Sequence, residues 1–579
     1  MLSGIKLILN NHKWAIILAI LVAVIIAYPQ VYFRYDHQDA YHGIELIGAS
    51  DDESVWSSRV REAQDGHLSL SCVYFKDGKN DPYIIQPLGS TIVAYLGKIF
   101  SLDLNNTILF SRLFFPFIVF LIIYGFILLF TKDKLTALVT PSALFLASTL
   151  LGRWDIFQLL SGESPKTDFL LLTRPVNPAL TWFFFFGFLL FFWLYLEKKQ
   201  WRWGILSALM LGLSFYDYFY TWTFLYVFCG VLGLIFLFQK NWRELKRIAV
   251  VLLGAGLIAI PYLINFYQIT TYPTYQEVGQ RAGLLYTREP TLGFLVPFIF
   301  IIFLLFFPRK WRERYYFALA LVITPFIVLN QQLITGKTLF NAHYHWYFHT
   351  PLGIIFLLVI FFNLISQKKR EFFKKLSAIL IIAIGIYTGV LIQNSSYNTN
   401  EEKIIERQRY GQVMDWLDEN TEKDEVIFAN NETAHLIVIY TPLNVFYHSS
   451  AGGCLVSSKD RLLNTLFLFY RLDGVDKEDA QEVFFRDRRK MSAAIYGTYY
   501  RETTGVYENI PDEILREIIQ KYQASFSVPT TDFLNNLWTK YEVKYLVWDK
   551  ESNPQWQLNQ YSFLKKVAEI EDFAIYQRD

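Results

Sequence analysis

Three consecutive acids, Asp51, Asp52 and Glu53, carry the strongest chemical signal in the sequence. They open a segment of helical spacing that ends near Gly66. A carboxylate held at a membrane surface could act as a general base toward an acceptor hydroxyl, or hold a metal ion at a diphosphate. The same acids would also cap a helix N-terminus, where negative charge is favoured. Capping and catalysis do not exclude one another.

Two further candidates for this chemistry follow later in the chain. Arg174 opens an apolar segment, where its guanidinium could hold a lipid phosphate bidentately or meet ordinary headgroups. Asp155, in Gly-Arg-Trp-Asp, could assist a metal or the acceptor, although such a cluster is also a membrane-interface anchor. Nothing in the sequence requires a metal. If a divalent ion is bound, Asp52 and Asp155 are its expected ligands.

A dense polar turn, defined here as residues 330–345, joins two apolar segments. Polar side chains are costly in lipid, so these residues should face a cavity. Gln332, Lys337, His343 and His345 could bind a diphosphate or sugar hydroxyls, although two histidines two residues apart are a weak metal signal. The alternative is a tight polar turn with an aromatic belt.

Three more residues are weaker candidates. Asp217 stands among tyrosines at the end of an apolar segment, where an acid is a site candidate unless a tyrosine satisfies it. Arg281 and Arg288 lie in a loop and could meet a phosphate, but arginines in loops are more often simply solvated.

Membrane helices must position these residues. Of the 579 residues, 53% are hydrophobic and only 18% are charged, and the long apolar runs stop near residue 395. A membrane span needs about 20 apolar residues. This length predicts about eleven spans, near 14–33, 107–130, 134–151, 176–196, 203–220, 221–239, 246–267, 291–308, 313–332, 346–366 and 374–393.

Basic residues set the predicted orientation. With these spans, all six basic clusters fall on one side, which the positive-inside rule makes cytoplasmic. The N-terminus is then cytoplasmic, and a long first loop (residues 34–106) lies outside, with residues 86–100 as a helix on the outer interface. The clustering is typical of membrane proteins and gives no reason to expect a nucleic-acid partner.

Residues 396–579 have the composition of a soluble domain and would lie outside. Strands are predicted at 425–429, 543–548 and 573–576, and helices at 401–420, 459–471, 512–523 and 529–541. The mixture indicates a small extracytoplasmic α/β domain beside a transmembrane domain of residues 1–395. It has no Gly-rich phosphate loop, and could bind the acceptor or only cover the membrane site. Cys72 and Cys454 both fall outside and could pair.

One order of features resembles a known family. A first span is followed by an outer loop with Asp-Glu beginning a helix, then by a Pro-Leu-Gly interface helix, many spans and an outer domain. This resembles the GT-C superfamily of integral-membrane glycosyltransferases, which includes protein mannosyltransferases, lipid A aminoarabinose transferases and oligosaccharyltransferases. The resemblance implies that Asp52 is the catalytic carboxylate and that the donor is a polyprenyl-phosphate-linked sugar. No Trp-Trp-Asp motif follows in the C-terminal domain, which argues against transfer of whole glycans to asparagine.

The sequence therefore predicts a polytopic α-helical protein of the plasma or inner cell membrane, GT-C-like in fold. It would transfer a sugar, with inversion, to a lipid, glycan or protein acceptor. Asp52 would act as base, and Arg174, with Lys337 or His343, would hold the carrier phosphate. The main competing function is that of a transporter or flippase, which would not need the long first loop and C-terminal domain. A polysaccharide polymerase or ligase would also be an enzyme of the membrane, and a scaffold or sensor would bind a ligand without catalysis.

Overall fold

The computed structural model describes residues 2–48, 51–147, 169–367, 370–497 and 510–578. Helices make up most of the first four hundred residues. They are α1 (Leu2–Asp36), α2 (Asp51–Gln64), α3 (Leu88–Ile99), α4 (Leu104–Thr131), α5 (Lys134–Leu146), α6 (Ala179–Lys198), α7 (Trp201–Asp217), α8 (Phe219–Phe238), α9 (Trp242–Ile258), α10 (Ile260–Thr270), α11 (Tyr275–Arg281), α12 (Leu295–Phe306), α13 (Glu313–Val328), α14 (Thr350–Gln367) and α15 (Glu371–Glu406).

The chain is a multi-pass membrane protein. Within the described residues, seven helices are long and apolar enough to cross a membrane, and the pair α9 and α10, bent by 54°, would make an eighth. The apolar helices α3, α5 and α12 are shorter. Each of the predicted spans contains a helix. The predicted number of eleven spans stays a prediction, because several of these helices are too short to be counted by length.

Polar residues end the apolar helices at defined places. Asp103 caps α4, because its side chain accepts a hydrogen bond from the backbone N–H of Asn106 at 2.7 Å. At the other end of α4, Lys132 takes a left-handed conformation. Asp133 then caps α5 through the backbone N–H of Thr136 at 3.2 Å. A two-residue turn therefore reverses the chain between these helices.

Three of the basic clusters lie at one end of the helix bundle. Lys132, after α4, forms an ion pair with Glu197, which precedes the basic run at the end of α6, at 3.0 Å. Lys374, at the start of α15, forms another with Asp133 at 3.0 Å. The positive-inside rule requires such clusters to share one side of the bundle. Which side of the membrane they face stays a prediction.

A mixed sheet forms the core of the C-terminal region. Its strands are β3 (Val426–Ala429), β4 (Asn444–Val445), β5 (Val543–Asp549), β6 (Leu564–Ile570) and β7 (Phe573–Arg578), in the order β4-β3-β5-β7-β6, after the short pair β1 (Leu285–Tyr286) and β2 (Lys337–Thr338). β4, β3 and β5 are parallel, and the last two strands are antiparallel. The helices here are α16 (Gly411–Asn420), α17 (Asn431–Tyr440), α18 (Lys459–Leu472), α19 (Ala480–Arg486), α20 (Arg488–Tyr496), α21 (Asp512–Ser525) and α22 (Thr530–Lys540).

Helices cover both faces of this sheet. Ile427 of β3 packs with Leu417 of α16 in the large core that continues into the membrane helices. Phe428 points to the opposite face, where it packs with Trp538 of α22. Successive strand residues face opposite sides, so a fully buried strand needs cover on both. The predicted α/β fold is confirmed. The predicted domain boundary at residue 395 falls inside α15, and the division into two domains remains a prediction.

The first loop is held against the C-terminal region. A disulfide joins Cys72 in the loop to Cys454, with 4.6 Å between their Cα atoms. The loop contains the helix α3, at the place where an interface helix was predicted, and α3 packs beside α2. The loop, α2 and the C-terminal region therefore form one continuous layer beside the helix bundle.

Candidate functional site

Asp52 and Arg174 form an ion pair, with 2.7 Å between Oδ2 of Asp52 and Nη1 of Arg174. The Asp52 side chain is half exposed (50%), and that of Arg174 is 28% exposed. Asp52 lies in the first turn of α2, while Arg174 follows the single turn Leu171–Thr173. The structure thus brings together two residues that the sequence assigned separately, one to catalysis and one to phosphate binding.

A buried arginine that the sequence analysis missed binds a sequence neighbour of each partner of this pair. The guanidinium of Arg112, on α4, forms an ion pair with Glu53 and donates hydrogen bonds to the backbone oxygen of Thr173 and to Oε1 of Gln30, both at 2.7 Å. Only 2% of Arg112 is exposed. We call these four residues the Arg112 cluster.

Two residues of the Arg112 cluster are the direct sequence neighbours of the ion pair. Glu53 directly follows Asp52, and Thr173 directly precedes Arg174. One guanidinium therefore binds the side chain of the residue after Asp52 and the backbone of the residue before Arg174. Arginine suits this task because its planar group presents several N–H donors in fixed directions.

Glu53 is occupied by this contact. It is 5% exposed, and besides Arg112 it accepts a hydrogen bond from the backbone N–H of Gly48. The Glu53 carboxylate is thus bound within the protein, whereas the Asp52 side chain is half exposed. The structure therefore favours a positioning role for Glu53 and leaves Asp52 as the accessible acid. The helix begins at Asp51, whose side chain lies outside the described part of the structure.

A second buried side chain fixes the segment before Arg174. The amide of Gln393, on α15, accepts a hydrogen bond from the backbone N–H of Leu170 at 3.0 Å. Its nitrogen donates to Oγ1 of Thr173 at 3.1 Å and to the backbone oxygen of Ile26, on α1, at 3.0 Å. Helices α1, α4 and α15 thus all contribute to the placement of Arg174.

Aromatic side chains border the exposed pair on the side of the helix bundle. The Nη1 atom of Arg174 lies 3.4 Å from the hydroxyl of Tyr347, whose backbone oxygen accepts a hydrogen bond from Nε1 of Trp182 at 3.0 Å. His343 lies next to them, with Nδ1 2.8 Å from the hydroxyl of Tyr218. The rings of Tyr218 and Tyr347 are 5.5 Å apart. The predicted candidate His343 therefore lies near Arg174, because both contact Tyr347.

The remaining candidates of the polar turn make different contacts. Gln332 is buried, and its amide donates to the backbone oxygen of Glu289 at 3.0 Å. Lys337 is exposed in the short strand β2, with Nζ 5.4 Å from the centre of the Tyr286 ring. The ring of His345 lies 5.2 Å from that of Trp346. The contacts of Gln332 and Lys337 hold the polar turn to the loop that precedes α12.

The two loop arginines form structural contacts. Arg281 is buried and donates to the backbone oxygens of Leu455 and Ile495, both at 3.1 Å, so it attaches its loop to the C-terminal region. Arg288 is exposed and donates to the backbone oxygen of Leu333 at 2.8 Å.

Asp217 is buried at the end of α7, where one of its carboxylate oxygens is 3.5 Å from Oγ1 of Thr181. Its other oxygen has no hydrogen-bond partner within the described ranges.

No metal site at the exposed pair can be built from the described residues. Asp155, predicted as a metal ligand with Asp52, lies outside the described residues. Within those that are described, the one group of three potential ligands is Asp36, His37 and Glu401, near the C-terminal ends of α1 and α15. His37 and Glu401 already bind each other at 2.9 Å.

No family model and no curated protein matches the sequence. The solved structures that are similar to the chain over 98% of its length include two of the same protein. ArnT from Cupriavidus metallidurans in the apo state is 11% identical, with a TM-score of 0.46 and 98% of each chain covered. The structure of ArnT from Cupriavidus metallidurans bound to undecaprenyl phosphate is 10% identical, with the same TM-score and coverage. The chain itself has the architecture that its sequence predicted: membrane helices with a long loop after the first, and a small α/β region at the C-terminal end.

Proposed function

We propose that the chain is a membrane glycosyltransferase that takes a sugar from a polyprenyl-phosphate carrier and transfers it, with inversion, to an acceptor outside the cytoplasm. The observation that carries this proposal is the partly exposed ion pair of Asp52 and Arg174. The buried Arg112 cluster holds the residues next to both partners in place. A base and a phosphate ligand that lie side by side suit a reaction whose leaving group is a phosphate.

In the proposed reaction, Asp52 takes the proton of an acceptor hydroxyl. The acceptor oxygen forms a bond to the anomeric carbon, while the bond from that carbon to the phosphate oxygen breaks. The polyprenyl phosphate leaves with the electron pair, and the guanidinium of Arg174 stabilises its growing charge. A single displacement of this kind inverts the configuration at the anomeric carbon. Tyr347 and His343 would border the donor.

Two features support an outward-facing site. The basic clusters at one end of the bundle favour a cytoplasmic position for that end. The disulfide between Cys72 and Cys454 is typical of an oxidising compartment, and it ties the first loop, which carries Asp52, to the C-terminal region. We therefore place the ion pair and the C-terminal region outside the cytoplasm.

The test is release of radiolabel from a panel of polyprenyl-phosphate sugars by purified protein. We expect Asp52→Asn to lower the rate by about 10²–10⁴-fold, since general-base catalysis contributes on this scale. Asp39→Asn is the matched control, because Asp39 is an exposed acid on the same first loop. Equal release by Asp52→Asn and wild type would remove Asp52 from the reaction. No release from any donor, with movement of the lipid-linked sugar across liposomes, would instead establish a transporter.

A further inference from the structure

A polar cavity of about 190 Å³ lies between α2 and the C-terminal region. Its walls come from the first loop and α2 on one side, and from α15, α17 and the loop after β4 on the other. The side chains central to its chemistry are those of Glu53, Ser54, Lys403, Arg407, Asn431 and Glu432. The cavity is much larger than the space needed for a single water molecule.

This cavity adjoins the proposed base. Glu53 and Ser54, which line it, directly follow Asp52 in the first turn of α2. Successive residues of a helix point in directions about 100° apart. Asp52 can therefore face Arg174 while the next two residues face the cavity. A molecule held there would lie against the two residues that directly follow Asp52.

Both acidic side chains of the cavity are already bound by an arginine, which leaves the charge of one lysine without an ion-pair partner among the described residues. Glu432 forms an ion pair with Arg407 at 2.7 Å, and Glu53 is bound by Arg112. Burial alone would raise the pKa of Glu432, but the Arg407 guanidinium outweighs it and holds this pKa below its ordinary value. Lys403 is exposed at the cavity and helps to lower the pKa of Glu432, but it forms no ion pair with any residue that the structure describes. One positive charge thus remains available to a ligand.

Neutral polar groups complete the lining. Ser54, Ser449 and Ser450 contribute hydroxyl groups, which can both donate and accept hydrogen bonds. Oδ1 of Asn431 is buried and has no hydrogen-bond partner among the residues described. Hydroxyls, an amide and one available ammonium group are the groups that recognise a sugar carrying an anion.

The far wall of the cavity is held rigidly. His448 is fully buried, and its ring stacks with Tyr74 of the first loop at 3.9 Å and with His435 at 4.9 Å between centroids. Its Nδ1 accepts the backbone N–H of Ser450 at 3.0 Å. Burial keeps the pKa of His448 well below its ordinary value, so this ring stays neutral. The disulfide at Cys72 and Cys454 ties the same loop to the same wall.

We propose that this cavity binds the acceptor, and that the acceptor is a saccharide bearing an anionic group such as a phosphate or a carboxylate. The inference rests on the proposed function, because the protein needs an acceptor site near Asp52 only if it transfers a sugar to a hydroxyl. Lys403 binds the anionic group, Asn431 and the serines bind sugar hydroxyls, and one hydroxyl is directed toward Asp52.

The test uses a hexose 6-phosphate, the free hexose and inorganic phosphate as probes, with the full-length protein in detergent and calorimetric titration. We expect the hexose phosphate to bind more tightly than either of the other two. Lys403→Gln should weaken its binding about tenfold or more, because a charge-assisted contact is lost. Lys540→Gln, at an exposed lysine of α22, should bind as wild type does.

Three results would overturn the inference: no binding of the hexose phosphate by wild type, unchanged binding by Lys403→Gln, or equal binding of inorganic phosphate. Asn431→Ala gives a second, uncharged test of the same cavity and should also weaken binding. Asp52→Asn should bind the hexose phosphate normally while failing in transfer. Release of sugar from the donor without hexose-phosphate binding would refute only the acceptor site, and binding without any release would refute only the proposed reaction.

Discussion

Two regions of the molecule are dense in polar residues. One is the Arg112 cluster together with the Asp52–Arg174 ion pair, and the other is the polar turn. Their polar side chains make different kinds of contact. In the first, the buried contacts of Arg112 leave Asp52 and Arg174 partly exposed and side by side. In the second, the buried amide of Gln332 is bound to the preceding loop, and Arg288 is bound to the turn's own backbone. Polar density alone therefore does not mark a site. The useful criterion is which charged side chains stay partly exposed beside each other, as Asp52 and Arg174 do.

The sharpest test of this difference is Arg112→Gln. Removing the guanidinium leaves Glu53 buried without its partner, and breaking a buried ion pair in this way costs about 3–5 kcal/mol. The matched variant Arg288→Gln removes an exposed arginine of the polar turn and should cost less than about 1 kcal/mol. Thermal unfolding of both proteins in the same detergent measures the two effects. Similar losses in both would mean that the regions do not differ as proposed.

Arg174→Gln should act on the reaction more than on the fold. Removing one group that stabilises developing charge lowers the rate by about 10²–10³-fold, or roughly 2.7–4 kcal/mol of transition-state stabilisation. The ion pair with Asp52 is partly exposed, so stability should change by no more than about 1 kcal/mol. Single-turnover release of sugar from the donor, measured beside thermal unfolding, separates the two. A stable protein with normal release would remove Arg174 from the site.

Gln332→Ala tests the polar turn from within. Its amide donates to the backbone oxygen of Glu289 and to Oγ1 of Thr291 at 3.2 Å, and loss of these bonds should cost about 1 kcal/mol of stability. Transfer by the protein that remains folded should be unchanged. Reduced transfer at full stability would show that Gln332 belongs to the site together with His343.

Lys337→Gln should have the smallest effect. The side chain is exposed and touches only the face of the Tyr286 ring, a contact worth about 0.5–1 kcal/mol at an exposed position. We expect the rate of transfer and its dependence on donor concentration to match those of wild type. A raised KM for the donor would instead place Lys337 at the carrier phosphate, as its position in the sequence indicates.

Much of the fold could be predicted from the sequence, because apolar length and strand periodicity are local signals. The helix beginning at Asp51, the strands at 426–429 and 543–549 and the helix at 459–472 all lie within a few residues of their predicted positions. The very short strand β4 and the strand β6 were missed. β6 has two consecutive exposed lysines, Lys565 and Lys566, which interrupt any apolar alternation, so its sequence carries little signal.

The candidate site was only partly predictable. Asp52 and Arg174 could be named from residue type and position, but their contact joins residues more than a hundred positions apart. Arg112 was missed although a signal existed, since a charged residue inside an apolar span is rarely without a partner. Gln30 and Gln393 are weaker signals, because a single amide in a membrane helix has many possible partners. The cavity at Lys403 depends on how the C-terminal region packs on α2, which no local pattern encodes.

The disulfide also has a consequence for the making of the protein. Its two cysteines are separated by 382 residues, so at synthesis rates of about 5–20 residues per second the second follows the first by roughly 20–80 s. During that interval Cys72 cannot yet pair with Cys454. Cys229 does not compete for it, because Cys229 is buried in the membrane helix α8. The bond can form only after Cys454 has been synthesised, and its closure therefore requires that the first loop and the C-terminal region have already come together.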